Sequence, residues 1–394
     1  MKKIAYLLAA ALLLTTASCA EISPSGTQAP AVSTAAAAPS LGNGTDSSDI
    51  IGSMDLKYAE QFSVDYRRDG CSIITIADDR FLLVPEGGTP SGAEGMTVIR
   101  QPVKDIYLAA SSAMDLFDGI GGLDRVTMTS TDTKSWSLPH IKEALEKGSI
   151  TYIGKYSAPD YEALTENGCG LAVESTMIYH SPETREKIEQ LGIPVMVERS
   201  SYERHPLGRM EWLRLYGLLI GKSEEADKYF AEKTAVFDNT AKNSGDTESG
   251  RRMTAAFFYV SPNGYVNIRK PNDYVPKMIE LAGGEYVFKA EDLDIDDNAL
   301  STMNIQTEKF YELALDADIL IYNSTIEGEL TSIAQLTDKC GILSDFKAVK
   351  EGNVWCSGQN MFQQTTGAAD MIADLSRIFS GTAENELTYL HRLE

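Results

Sequence analysis

Past residue 100 the chain alternates short apolar runs with stretches of helical spacing. DRVTM, ITYIG, GLAVES and IPVMVE read as strands, and segments such as PHIKEALEKG and SPETREKIEQLG separate them. That rhythm predicts βα units and a mainly parallel sheet. A second series begins after residue 250, with TAAFFYV, the helical VPKMIELAGG, DILIYN, NVWCS and a last helix near 365–380. Upstream, SIITIA, RFLLVP and DIYLAA make residues 72–110 strand-like. Between the two series lie PLGRMEWLRLYGLLIG and then SEEADKYFAEKTAVFDNTAK. In the latter, Ala226, Tyr229, Phe230, Val236 and Phe237 recur at helical spacing, behind a candidate N-cap at Ser223 and two glutamates in the first turn. The expected architecture is two Rossmann-like α/β lobes, 51–221 and 246–394, joined by a single long helix over 222–245. A ligand cleft between the lobes follows from that arrangement, because small molecules favour such places.

The N-terminus changes the picture of where these lobes sit. Lys2 and Lys3 precede an apolar stretch over 4–14 that is short for a bilayer span, so 1–18 reads as an export signal. Thr16-Ala17-Ser18-Cys19 resembles a bacterial lipobox, with Thr16 where leucine is preferred, and makes Cys19 the expected lipidation site. Ordinary cleavage near Ala20 is the alternative. Residues 20–50 are rich in Ala, Ser, Thr, Pro and Gly without hydrophobic period, so 19–50 is expected to be a lipidated cysteine and a flexible tether. An extracytoplasmic body anchored to the cell membrane is the resulting localisation. The net charge of −22 argues against nucleic acid and against anionic lipid as partners. Beyond Cys19 there are cysteines at 71, 169, 340 and 356, none in a CxxC pair. Export permits disulfides among them without specifying any.

Candidate chemistry concentrates in VERSSYERHPLGRMEW, residues 197–212. This loop leaves the end of the strand IPVMVE, and in open α/β sheets ligands bind at the carboxyl edge. Arg199, Tyr202, Arg204 and His205 are therefore expected near the cleft mouth, with Pro206 starting a helix and Arg209 one turn in. Arginine suits carboxylates and other oxyanions because its fork donates two charged, parallel hydrogen bonds. A solvated loop paired with the acidic surface is the competing reading. In the second half, Tyr265 and Arg269 follow an Asn-Gly turn and are candidates for the same cleft. Trp136, and with it Tyr156, Met177, Tyr179 and Trp355, stand near strand ends where an aromatic wall could form. The histidines, at 140, 180, 205 and 391, form no HxxxH or HExxH, so no protein metal site is expected. His205 could still complete an iron shell, although a satisfied or solvent-facing histidine is the commoner case. No GxSxG, P-loop or GxGxxG after a strand is present, and the chain reads as no enzyme.

One local phrase recurs. SAPDYEALTENGCGLAVES places Glu162 in the first turn of a helix before a buried strand, and NIQTEKFYELALDADILIYN places Glu308 likewise. Each taken singly complements a helix dipole. Together with IGGLDRV, "IGKYSAPDYEAL…GLAVE", HPLGRMEWLRLYGLLIGKSEEA, GYVNIRKPNDYVPKMIELAGGEYVF and EKFYELALDADILIY, in that order, they make residues 100–380 resemble bacterial ABC-transporter substrate-binding lipoproteins of the siderophore, haem and cobalamin type. The resemblance implies a rigid helix between the lobes and docking of Glu162 and Glu308 on arginines of a membrane permease, itself driven by an ATPase. It implies a monomer with no cofactor of its own, whose transported ligand is a ferric siderophore or haem, or in the alternative a corrinoid. From another class, an extracellular enzyme on the same two-lobe scaffold is the alternative. Residues 60–100 lie outside the family's minimal pattern.

Overall fold

The segment LAVES forms a strand whose first four residues are buried, as a strand covered by helices on both faces must be. It belongs to the first of two α/β lobes. The structure, a computed structural model, describes residues 49–243, 251–295, 301–383 and 387–394. The leader over 1–18, Cys19, the tether up to residue 48 and the last residues of the expected connecting segment lie outside the described residues.

Five strands open the described chain: β1 (Ile50–Ser53), β2 (Phe62–Arg67), β3 (Ser72–Ile76), β4 (Asp79–Val84) and β5 (Thr97–Arg100). They make a sheet of their own in that order. The first lobe follows with β6 (Ile106–Leu108), α1 (Ser111–Gly119), β7 (Val126–Thr129), α2 (Pro139–Glu146), β8 (Thr151–Tyr152), the small hairpin β9 (Gly154–Lys155) and β10 (Ala158–Pro159), α3 (Tyr161–Glu166), β11 (Leu171–Ser175), α4 (Pro182–Gln190) and β12 (Val195–Glu198). Its sheet is all parallel, in the order β12-β11-β6-β7-β8. Two helices come next, α5 (Pro206–Ile220) and α6 (Ser223–Asn243).

The second lobe holds β13 (Thr254–Val260), β14 (Val266–Arg269), α7 (Tyr274–Leu281), β15 (Glu285–Tyr286), β16 (Thr302–Ile305), α8 (Thr307–Ala314), β17 (Ile319–Tyr322), α9 (Ser324–Glu327), α10 (Ile333–Lys339), α11 (Lys347–Glu351), β18 (Val354–Ser357), α12 (Ala368–Phe379) and β19 (Leu390–Arg392). Its sheet runs β16-β14-β13-β17-β18-β19, with β15 also paired to β13. The centre, β13, β17 and β18, is parallel, and the hairpin β13–β14 and the edge strand β19 are antiparallel.

Helix α5 is buried nearly all round, from Leu207 to Ile220, because it packs against α1, α6, α7 and α12. A helix apolar on every side has no other stable place. Helix α6 lies on α5 and then on α12 of the second lobe, where Lys233 pairs with Asp370 at 2.6 Å. The close approach of α5 and α6 needs Gly217, since a Cβ there would sit 2.5 Å from that of Ala226. One apolar core runs from Phe62 and Phe81 through Trp212 and Tyr216 to Phe257 and Phe310, so both lobes share it.

Residues 57–61, KYAEQ, form a strap across the start of α5, held by two buried carboxylates. Glu211 accepts the N–H groups of Lys57, Tyr58 and Ala59 at 2.8–3.1 Å. Glu203 accepts those of Glu60 and Gln61 at 2.8 and 2.9 Å, and the Trp212 indole N–H at 2.9 Å. Five backbone donors are thereby satisfied without a β ladder, which lets an irregular segment lie against a helix at little desolvation cost. Among the described residues no helix is long and apolar enough to cross a membrane, and Cys71, Cys169, Cys340 and Cys356 are all free thiols.

Candidate functional site

The loops that leave the carboxyl edges of the two sheets meet. After β18, Gln363 Nε2 donates to the Ser135 carbonyl at 2.7 Å, and Ser137 N–H donates to Gln363 Oε1 at 2.6 Å. Thr365 Oγ1 donates to the Ser112 carbonyl at 2.8 Å, and Thr366 N–H to Asp115 Oδ2 at 2.7 Å. These bridges tie α1 and the loop after β7 to the loop before α12, and they mark the floor where the lobes join.

Beside that floor, two arginines enter from opposite lobes. The Arg209 guanidinium, one turn into α5, stands 3.9 Å from the centroid of the Tyr274 ring. Arg269, at the end of β14, stands 5.6 Å from the same ring and 4.3 Å from that of Phe362. Only 7% of Arg209 and 9% of Arg269 is exposed, and the Nε of each is buried without a hydrogen-bond partner. Asp273 lies 3.7 Å from Arg269 and caps α7 by accepting from Val275 N–H at 3.0 Å. Burial pushes its carboxyl up despite the arginine. Glu198, at the end of β12, is buried as well and raised by desolvation. Arg269 Nη1 donates to Ser301 Oγ at 3.2 Å, and the space beside Arg209, Tyr274 and Phe362 is only about 20 Å³. What the seam offers is therefore one unpaired buried Nε on each arginine, a donor type suited to oxyanions.

The rest of the loop after β12 divides in two directions. Arg199 donates from Nε to Gln61 Oε1 of the strap at 3.3 Å and covers the Tyr202 ring at 4.7 Å. Tyr202 donates to Thr176 Oγ1 after β11, at 3.4 Å, so both residues stay at the carboxyl edge. Arg204 and His205 turn away toward a groove between the lobes, of about 680 Å³, lined on the other side by residues of 271–289. His205 is the N-cap of α5: its Nδ1 accepts from Leu207 N–H at 3.2 Å, and its ring stacks on Tyr58 at 4.5 Å. Burial, with Lys277 nearby, lowers the imidazole to about 4. Half of its nitrogen chemistry is thus spent on the helix.

Trp136 needs a correction. It belongs to the core and not to a wall, fully buried with its indole N–H donating to the Thr131 carbonyl at 3.2 Å. Trp355 is likewise a buried residue of β18, and Tyr156 packs on the core of the first lobe. Met177 and Tyr179, after β11, are each 48% exposed. With Tyr152, Tyr265 and Ile326 they make five of the eight large apolar side chains exposed among the described residues. All five lie at the carboxyl edges of the parallel strands, the side on which open α/β sheets place their ligands. Tyr265 sits at the tip of the β13–β14 hairpin and is 40% exposed, whereas Arg269 at the end of β14 is buried. Among the described residues no three His, Cys, Asp or Glu side chains converge as metal ligands.

Tyr274, Phe362, Gln363 and the strap residues Tyr58, Glu60 and Gln61 are partners that sequence reasoning missed. An Asp before an apolar helix is a readable N-cap at Asp273, and would have placed Tyr274 at the first turn. The strap carries no period at all.

No family model matches the sequence. Two uncharacterized lipoproteins of Methanocaldococcus jannaschii align along most of the chain: one is 26% identical over 356 residues, covering 82% of this chain and 81% of that protein, and the other 23% over 361 residues, covering 86% and 87%. Among solved structures, a periplasmic heme binding protein from Pseudomonas aeruginosa superposes with a TM-score of 0.57 at 14% identity, covering 74% of this chain and 98% of that one. A periplasmic solute binding protein from Veillonella parvula gives 0.56 at 15%, covering 82% and 88%. A possible iron-binding, periplasmic solute-binding protein from Staphylococcus epidermidis gives 0.52 at 14%, covering 69% and 97%. The fold is the two-lobed fold of periplasmic binding proteins.

Within this two-lobed fold, Glu162 and Glu308 occupy equivalent places. Each is exposed, in the first turn of α3 or α8, and each helix leads into a buried parallel strand, β11 or β17. Neither carboxylate has an ion-pair partner within the described residues, unlike neighbouring Glu312, which Lys309 engages at 3.1 Å.

Proposed function

We propose that this protein is the extracytoplasmic solute receptor of an ABC importer, which captures an anionic iron complex, a ferric siderophore or haem, and presents it to a membrane permease coupled to an ATPase. The observation that carries the reading is the convergence of Arg209 and Arg269 from separate lobes on Tyr274, with buried Nε groups left unpaired. A carboxylate or hydroxamate oxygen at that seam would be gripped by both lobes at once, and binding would favour their closure. The exposed Met177 and Tyr179 at the carboxyl edge supply apolar surface for the body of such a ligand. The solved relatives are described as solute-, iron- or heme-binding proteins, which supports binding without turnover. The relatives from Methanocaldococcus jannaschii are described as lipoproteins, which supports anchoring through Cys19.

Purified protein titrated with haemin, a ferric hydroxamate and cyanocobalamin tests this, followed by tryptophan fluorescence. Trp136 stands beside Ser135 and Ser137 of the lobe bridge, so closure alters its surroundings. Saturable binding of an iron complex at micromolar concentration or below is expected. Binding of cobalamin alone would move the assignment to corrinoids, and binding of none of the three would end it.

A further inference from the structure

The groove that receives Arg204 and His205 is a built feature of the fold. Its wall in the first lobe rests on the strap. Tyr58 stacks on His205 and places its ring edge-on to Phe230 and Phe237 of α6, so the imidazole is wedged between the strap, the start of α5 and the helix that leads to the second lobe. The strap approaches so closely that a Cβ at Gly208 would lie 2.7 Å from the Tyr58 carbonyl oxygen. Glu60, from the same strap, reaches the groove rim. The opposite wall comes from the second lobe: Arg252 just before β13, Lys277 of α7, and Lys289 after β15.

The charges in this groove are unevenly satisfied. Of its four carboxylates, Asp273 faces Arg269, Glu280 pairs with Lys277 at 2.9 Å and Glu285 with Lys289 at 2.8 Å. Glu60 is left. Against it stand Arg204 and Arg252, which hold no hydrogen bond or ion pair among the described residues, Arg252 being within electrostatic reach of Glu285. His205 adds no charge at neutral pH, since burial holds it well below its ordinary value. In a chain of net charge −22, a groove lined by four basic side chains and four carboxylates is locally balanced, and its two unpaired guanidinium groups are the places where it favours anions. Its volume of about 680 Å³ falls in the range of small-molecule sites, roughly 300–1,000 Å³.

We propose that this groove is a second ligand site, separate from the Arg209–Arg269 seam, which takes a small multivalent oxyanion bridging Arg204 of the first lobe and Arg252 of the second. An occupant that holds one guanidinium from each lobe opposes lobe separation, so its presence retains whatever the seam has captured. Coupling of this kind is reciprocal: the captured ligand in turn tightens the anion. Asp273, shared by the groove wall and the seam, provides the physical link between the two places. The site stands on its own geometry and does not require that the seam bind an iron complex.

Calorimetric titration with citrate and with pyrophosphate, at physiological ionic strength, tests the proposal. Saturable binding of one anion per chain is expected. Arg204→Gln and Arg252→Gln should each weaken it at least tenfold, whereas Arg68→Gln, at an exposed turn far along the N-terminal sheet, should leave it unchanged. Both groove arginines are exposed, so the variants are expected to fold, and circular dichroism verifies it. Haemin, titrated into Arg252→Gln without anion, should bind as it does to the parent. Absence of saturable anion binding overturns the proposal. So does equal weakening by Arg68→Gln, which would mark a general charge effect, or equal loss of haemin and citrate in Arg252→Gln, which would make groove and seam one site. If haemin binds neither protein, the citrate arm alone decides the groove, and only the function proposed for the seam fails.

Discussion

Arg209 and Arg269 approach the same aromatic ring from different lobes, their guanidinium carbons 3.9 Å and 5.6 Å from the centroid of Tyr274. Like charges so placed repel unless something negative stands between or beside them. Asp273 and Glu198 provide part of that compensation from the two sides of the seam. Each guanidinium keeps one buried Nε without a hydrogen-bond partner, and the proposed anionic ligand would supply an acceptor for it.

Changing Arg209 or Arg269 to Gln should therefore weaken an anionic iron complex by about 1.5–3 kcal/mol, roughly tenfold or more in affinity. The two changes should be less than additive, because both remove one side of a shared grip. Haemin titrations of the single and double variants measure this. Parent-like affinity in all three would make the seam a structural contact only.

Glu162 and Glu308 should serve docking and not ligand capture. Exposed carboxylates without internal partners are free to meet arginines of a permease, and attraction at long range would steer that encounter. The double change to Gln should leave haemin affinity and folding intact, and should abolish binding to the reconstituted permease or uptake in cells. Binding of the parent to the permease should weaken steeply with salt. Normal uptake by the double variant would remove both residues from the interface.

Cys19 should carry lipid. Cys19→Ala is expected to release the protein into the medium or to stall its maturation. Mass spectrometry of the protein from its native host decides, since an unmodified chain that begins beyond residue 19 contradicts a lipid anchor.

Glu174 should make stability depend on pH. It is fully buried in β11 with neither carboxyl oxygen hydrogen-bonded, and burial pushes its carboxyl up to about 8. Its folded value is raised, so between the ordinary value of 4.5 and about 8 the folded chain keeps a proton that the unfolded chain loses. Stability present below that window is lost through it as pH rises, by up to about 1.4 kcal/mol per pH unit. Glu174→Gln keeps the shape and cannot ionise, so thermal unfolding of this variant should fall less between pH 5 and 8 than that of the parent. Parallel curves would mean that the carboxyl is not held neutral.

Gly208→Ala should loosen the strap. The added methyl would meet the Tyr58 carbonyl oxygen at 2.7 Å and Glu203 Oε2 at 3.3 Å, a clash worth about 1–3 kcal/mol against the roughly 1 kcal/mol gained by alanine within a helix. A fall of a few degrees in Tm is expected, together with faster hydrogen exchange at the amides of residues 57–61. Unchanged exchange there would show that the strap moves aside without cost.

Much of the architecture was legible because it is periodic. Strand runs such as GLAVES and DILIYN, the Pro206 start of α5 and the helical face of Ala226, Phe230 and Phe237 are local patterns, and each repeats its signal several times within a few residues. The matched phrases around Glu162 and Glu308 were readable for the same reason. Trp136 was misplaced because nearness to a strand end is equally true of core and of surface, and only packing on Thr131 and its neighbours separates them. The loop ERSSYERHPLG announced arginines but not their destinations. The strap at 57–61 decides those, through two glutamates roughly 150 residues away that collect its N–H groups, and no local pattern records such a pairing. By itself the sequence determined the two series of βα units, and it raised the expectation of an export leader over 1–18, which lies outside the described residues. The tertiary structure alone decided that Arg209 and Arg269 share one ring while Arg204 and His205 face another groove, because contacts between lobes depend on how whole surfaces fit, and residue spacing carries no information about that fit.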